Sequence, residues 1–213
     1  MELLGLLGTA VIGYLLGCLP HAYWLVRWTT GLDIRQCGTG NVGAANAYEV
    51  TGRLWVGVLV ALLDMLKGYA AIQLAGLFPG GDFRTLATAA VMVVVGHNYN
   101  VFLRWAGGRG LAPAAGTLLA MSWLPLLLWL LLWLTGYAAI RRNVHVGNMT
   151  GTIATPILIA TAPEALVRLL LQVPCPSMTQ HTLFVLLLAV PIFLRHLQPI
   201  RDLFRQESAR GSE

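Results

Sequence analysis

The chain has 213 residues, 57% of them hydrophobic and 11% charged, with a net charge of +5. A soluble domain carries about 25% charged residues. This chain has too little charge to cover a water-exposed surface, and its mean hydropathy of +0.69 points to lipid as its solvent. The basic surplus does not cluster with aromatic residues, which argues against a nucleic-acid binder. The three cysteines, Cys18, Cys37 and Cys175, lack metal-ligand spacing, so neither a metal nor another cofactor is expected.

A helix needs about 20 mostly apolar residues to span a bilayer. Leu3–Trp28 qualifies first. Met1-Glu2-Leu3 lacks the basic lead of a cleavable signal, so this stretch is expected to remain as a spanning helix. Leu54–Phe78 follows, with Asp64 and Lys67 inside it, and then Leu86–Leu103. Leu111–Ile140 is long enough for one tilted helix or for two shorter ones broken near Ser122–Pro125, where a proline interrupts the helical ladder. Ile153–Leu171 and Thr182–Leu194 complete the set.

The basic residues decide between the two readings. Arg27, Arg35 and Arg53 flank the first long loop, and Arg104 and Arg109 follow the third segment. Arg141 and Arg142 follow the long stretch, and Arg195, Arg201, Arg205 and Arg210 lie near the end. All these groups face the cytoplasm only if the long stretch crosses twice. The expectation is an all-α integral membrane protein: one seven-segment transmembrane bundle over residues 1–213, multi-pass in the cell membrane. Its N-terminus lies outside, and its C-terminus and active site are cytoplasmic.

Glycine and polar residues collect in two of the cytoplasmic loops. The first, Gly31–Arg53, holds Gly38, Thr39, Gly40, Asn41, Gly43 and Asn46 close together. Glycine lets backbone N–H groups converge on an anion, and Thr39, Asn41 and Asn46 add side-chain donors. A tight structural turn explains the same residues. The second loop, Gly96–Pro113, sets Arg109 among Gly107, Gly108 and Gly110, just before a helix begins. A glycine turn at a helix N-terminus suits phosphate, and arginine grips phosphate with two hydrogen bonds. His97 lies late in the third segment, as a core histidine or a ligand. His196, at the end of the last segment, either contacts substrate or anchors the helix end. Asp64 and Lys67 are three apart on one helix face, which fits a structural ion pair or an ion relay. No Ser/His/Asp arrangement and no zinc-type cluster is present, and no histidine has Asp five residues later, so the HxxxxD device of common acyltransferases is missing.

Taken in order, YLLGCLP (14–20), DIRQCGTGNVGAANA (33–47), LDMLKG (63–68), GHNYNVFL with GGRG, and Arg195-His196 resemble the bacterial membrane-bound acyl-phosphate:glycerol-3-phosphate acyltransferase family over nearly the whole chain. The resemblance implies seven helices and transfer of a fatty acyl group from acyl phosphate to the 1-hydroxyl of glycerol 3-phosphate. The products are lysophosphatidic acid and phosphate. It also implies Thr39, Arg109 and His196 as catalytic residues and the glycines and asparagines above, with His97, as phosphate ligands.

The chain departs from the family pattern at several positions. Thr39 stands for a serine and Arg109 for a lysine, which keep the hydroxyl and the charge. Glu49 stands for an arginine, Ala106 for a lysine, Asn100 for a proline and Pro199 for an asparagine. Asn143–Val146 replaces a serine-bearing loop. Losing two cations points to a second reading, an acyltransferase with a less anionic acceptor. Asp64 and Lys67 motivate a third, a transporter or non-catalytic lipid-binding protein.

Overall fold

The computed structural model describes residues 2–78, 81–140 and 142–210, so Arg141 of the charge pattern and Met1 of the N-terminal reading lie outside the described residues. Among the described residues the ordered elements are helices, apart from one isolated bridge between Ser122 and Leu171.

The first apolar stretch is not one helix. It divides into α1 (Glu2–Gly17) and α2 (His21–Thr30). Pro20 causes the break, because it has no N–H to continue the ladder. The carbonyls of Gly17 and Leu19 are left without helical donors, and Lys67 Nζ reaches them from another helix at 2.9 and 3.0 Å. After a short turn at Ile34–Gln36 come α3 (Ala44–Thr51) and α4 (Leu54–Ala75). Asp82 opens α5 (Phe83–Asn98) by accepting the Thr85 N–H.

The long Leu-rich stretch breaks at Ser122 into α6 (Leu111–Met121) and α7 (Trp123–Ala139), as the proline nearby predicts. The groups freed at the break bond to the chain at 170–172: Trp123 N–H to Leu170 O and Gln172 N–H to Met121 O. Next comes α8 (Val144–Thr161), capped by Asn143, then the short α9 (Glu164–Leu169) and α10 (Met178–Arg210). Helix α8 starts nine residues before the expected Ile153 (Val144 against Ile153), because its early turns carry inward-facing polar residues such as Asn148 and Thr152, which depress the hydropathy. Its continuation beyond Thr161 is a separate helix, so the expected Ile153–Leu171 span is also corrected at its end.

Four stretches among the described residues are long and apolar enough to cross a bilayer: Leu3–Thr30, Leu54–Ala75, Phe83–Leu103 and Met178–Asp202. Their outward faces carry leucines such as Leu4, Leu62 and Leu66. Helices meet where small residues let backbones touch: a Cβ on Gly96 would strike Tyr14 O of α1, and one on Gly116 would strike Met65 O of α4. In lipid such close packing replaces the hydrophobic drive between helices. One core cluster lies among α4–α6 and α10, around Val93, Met121 and Phe184. A smaller one, around Val26, Ile34, Val56 and Leu103, supports the first glycine loop.

Candidate active site

The two glycine turns meet. The Val42 N–H donates to Gly107 O at 3.1 Å, and Arg195 of α10 grips the second turn from the other side. Its Nε donates to Gly108 O at 3.0 Å and its Nη2 to Gly107 O at 2.9 Å. Beside this junction lies a cleft of about 610 Å³ whose wall includes Thr39, Gly40, Asn41, Arg109, His145 and Arg195. Gln198, Pro199 and Asp202 close it along α10.

Asn46 builds the first turn. It is buried, its Oδ1 accepts the Thr39 N–H at 2.9 Å, and its Nδ2 donates to the carbonyls of Cys37 and Asn41. All its capacity is spent on the loop, so it shapes the cleft without lining it. Gly38 has φ +58°, and a Cβ there would collide with Asn46 Oδ1, so only glycine lets the turn close over the amide. The expected cradle of convergent backbone N–H groups is not what this loop forms. The N–H groups of Thr39, Gly40, Asn41 and Gly43 donate within the loop, and that of Val42 donates to the second turn. The loop instead contributes Thr39, Gly40 and Asn41 to the cleft wall.

Arg109 projects from the second turn, directly before α6, whose positive dipole end adds to its field. Burial, and then the Arg195 charge, pull its pKa below the usual guanidinium range. Among the described residues no carboxylate pairs with Arg109 or Arg195. Two cations share the cleft with a single carboxylate, Asp202, that ion-pairs with neither, so the site carries a net positive charge and favours an anion.

Gly107, Gly108 and Gly110 support this arrangement from behind. Gly108 N–H donates to His97 O at 3.0 Å, and a Cβ on Gly108 would fall on the His97 ring. His97 itself is buried beneath the turn, with Nδ1 accepting from Lys67 Nζ at 3.0 Å. Lys67 also pairs with Asp64 at 2.9 Å, and His21 Nδ1 donates to Asp64 at 3.0 Å. The three N–H bonds of the ammonium are shared among Asp64, His97 and the two carbonyls at the α1–α2 break. This cluster is a closed ionic joint, with no roomy cavity for an ion relay: the adjoining cavity is about 10 Å³.

His196 stands apart from the cleft wall. It is fully buried, its Nδ1 donates to Ile192 O at 2.8 Å, and its Nε2 accepts from Asn148 Nδ2 at 3.2 Å. Asn148 Oδ1 in turn accepts from Trp133 Nε1 at 2.9 Å. With both ring nitrogens engaged, His196 locks α10 to α8 behind Arg195. Neighbouring helix positions point about 100° apart, so Arg195 faces the cleft while His196 faces the bundle.

Sequence reasoning passed over Arg195 and His145. Arg195 was legible as the basic neighbour of His196; His145 carried no signal beyond its place after a basic loop. The harsh departures also find their places. Glu49 is exposed on α3 and is not among the cleft-lining residues. Ala106 packs on the smaller core cluster. Asn100 is buried, its Nδ2 donating to Cys18 O at 2.8 Å, which ties the second loop to the α1–α2 break. Arg35, the basic residue of the first loop just before the glycine turn, is committed to Asp33, whose pKa it lowers by hydrogen bonding.

A sequence profile described as glycerol-3-phosphate acyltransferase matches residues 7–206. The chain belongs to the glycerol-3-phosphate acyltransferase family. Among its relatives, the glycerol-3-phosphate acyltransferase of Thermotoga petrophila is 32% identical over 193 residues, covering 91% of this chain and 90% of that one. The one from Desulforamulus reducens is 40% identical over 151 residues, 70% of this chain and 74% of that one. The crystal structure of an integral membrane glycerol 3-phosphate acyltransferase in its glycerol 3-phosphate form superposes with a TM-score of 0.77 at 29% identity, covering 94% of this chain and 92% of that chain. Its lysophosphatidic acid form gives 0.75 at 28% identity with the same coverage. The family is one of acyltransferases, and the likeness to an integral membrane member makes this chain a multi-pass membrane protein.

Proposed function

We propose that the protein transfers a fatty acyl group from acyl phosphate to the 1-hydroxyl of glycerol 3-phosphate, at a cleft on the cytoplasmic face of the membrane. The carrying observation is the junction of the two glycine turns, with Arg109 and Arg195 in one cleft wall and, among the described residues, no carboxylate ion-paired with either. Acyl phosphate is a mixed anhydride, so no protein nucleophile is needed. The glycerol oxygen bonds to the acyl carbon, the acyl carbon–phosphate oxygen bond breaks, and the hydroxyl proton passes to a phosphate oxygen. The protein's task is alignment and charge stabilisation. Arg109 and Arg195 hold phosphate, and Thr39 and Asn41 direct the acceptor. Asn46, the glycines and His97 hold the two turns in register, and His196 positions Arg195.

The acyl chain has an apolar groove to follow among α6, α7, α8 and α10, lined by Leu111, Leu118, Leu126, Trp129 and Ile192. Leu111 and Ile192 stand within a turn of Arg109 and Arg195, so the groove leads away from the phosphate site and into the membrane lipid.

Residues 1–213 act as one domain in this reading. The chain crosses seven times, through α1–α2, α4, α5, α6, α7, α8 and α10, with the N-terminus outside and the C-terminus inside. Two sets of contacts support this. Thr39, Arg109, His145 and Arg195 share one end of the bundle, whereas Ser122, Leu171 and His181 share another junction, with His181 Nε2 bonded to Ser122 Oγ at 3.0 Å.

The test is direct. Purified protein given acyl phosphate and glycerol 3-phosphate should release phosphate and form lysophosphatidate, and Arg109→Ala should lower kcat/KM by about 10- to 150-fold. A wild-type rate in that variant rejects the phosphate role. A preference for uncharged polyols over glycerol 3-phosphate would favour the less anionic acceptor.

A further inference from the structure

His145 occupies the first turn of α8, half-buried in the cleft wall. The local chain fixes it there: Asn143 Oδ1 accepts the N–H of His145 at 2.8 Å and of Val146 at 3.2 Å. Arg109 Nη1 lies 3.5 Å from His145 Nδ1. A guanidinium nitrogen only donates, so in this arrangement Nδ1 is the acceptor. The ring is therefore neutral, with its proton on Nε2.

The charged and titratable groups around the ring come from three places. Arg109 extends from the second turn, Arg142 precedes α8, and α10 supplies Arg195, His196 and Asp202. Helix α7, which packs along α8, has no Asp, Glu, Lys, Arg or His. Among the described residues cations outnumber the one carboxylate, Asp202, so a proton on Nδ1 is repelled while the cleft lacks an anion. A tetrahedral dianion between Arg109 and Arg195 reverses that balance. It takes up the two guanidinium charges and sets an oxygen where an Nδ1–H can donate.

We propose that His145 is a proton-linked third ligand of the phosphate held by Arg109 and Arg195, taking a proton from water onto Nδ1 as the dianion enters and returning it when the dianion leaves. The proposal rests on the reading of the cleft as a phosphate site. The phosphate belongs either to glycerol 3-phosphate or to the acyl phosphate, since both present the same dianionic group. Because binding brings a proton with it, affinity rises as pH falls through the histidine range.

Sulfate is the probe, because it stays a dianion across neutral pH and any proton taken up must land on the protein. Calorimetry on the full-length detergent-solubilised chain, in buffers of different ionisation heat, counts those protons. Wild type should take up about half to one proton near neutrality and bind sulfate roughly tenfold more tightly at about pH 6 than at about pH 8.5. His145→Gln should lose both the uptake and the pH dependence. His145→Lys, a fixed cation, should bind tightly at both pH values with no uptake. Displacement of sulfate by glycerol 3-phosphate, or by a non-hydrolysable long-chain acyl phosphonate, supports the proposal and tells which substrate's phosphate His145 meets. Undiminished uptake in His145→Gln, or pH-independent sulfate binding by wild type, overturns the proposal and leaves the cleft an anion site. Sulfate binding that neither substrate analogue displaces, or no binding at all, overturns the proposal and the phosphate reading together.

Discussion

The Gly107–Gly108 turn separates two polar regions built from the same kinds of side chain. Behind it, Asp64, Lys67, His97 and His21 bond to one another and to the broken helix, and the charges of the pair cancel inside the membrane. In front of it, Arg109 and Arg195 share a cleft with no carboxylate partner among the described residues. The difference teaches how to tell a joint from a site. Buried charges that are mutually satisfied hold elements together; like charges held side by side toward open space await something of opposite sign.

The largest expected effect tests the joint. Lys67→Met leaves Asp64 with His21 as its one close partner and takes the ammonium from Gly17 O, Leu19 O and His97, which should cost about 3–5 kcal/mol. Thermal unfolding in detergent measures it, and the double variant Asp64→Asn/Lys67→Met should recover much of the loss. A single variant as stable as wild type would end the description of this cluster as structural. Next comes the site. Arg109→Ala should lower kcat/KM by about 10- to 150-fold, the equivalent of about 1.5–3 kcal/mol for a charge-assisted contact, with the unfolding midpoint nearly unchanged.

Gly108→Ala sharpens the comparison because the turn serves both regions. Its Cβ meets the His97 ring, so stability and activity should fall together, by about 1–3 kcal/mol in stability. Loss of activity alone would mean that the two regions are uncoupled. The smallest effect belongs to Glu49→Arg. Since Glu49 is exposed and is not among the cleft-lining residues, restoring the family's cation should change kcat/KM by less than about twofold, within the usual ±0.5 kcal/mol of surface changes. A large gain in glycerol 3-phosphate affinity would show that α3 reaches the substrate.

Much of this was readable in the sequence because the signals were local. The glycine spacing around Arg109, the proline beside Ser122, and the charged pair inside α4 each announce their own structure. What escaped depended on direction and on distant partners. Arg195 and His196 are adjacent in the chain, and only the helix's rotation decides which faces the cleft. Asn46 reads as a free donor until its four backbone partners, three carbonyls and one N–H, fold around it. The break at Pro20 was hidden because the hydropathy of Leu3–Trp28 stays high across it. The first turns of α8 carry inward polar residues that resemble a loop in the sequence.

The Pro20 break also bears on how the chain enters the bilayer as it is made. Helix α4 alone would carry Asp64 and Lys67 into hydrocarbon, at about 2.5–3.5 kcal/mol for each charge. The acceptors that quench Lys67, the carbonyls of Gly17 and Leu19, and the donor that meets Asp64, His21, all precede α4 in the chain. An emerging α4 therefore finds its complement already delivered to the membrane, and only His97 has still to be synthesised.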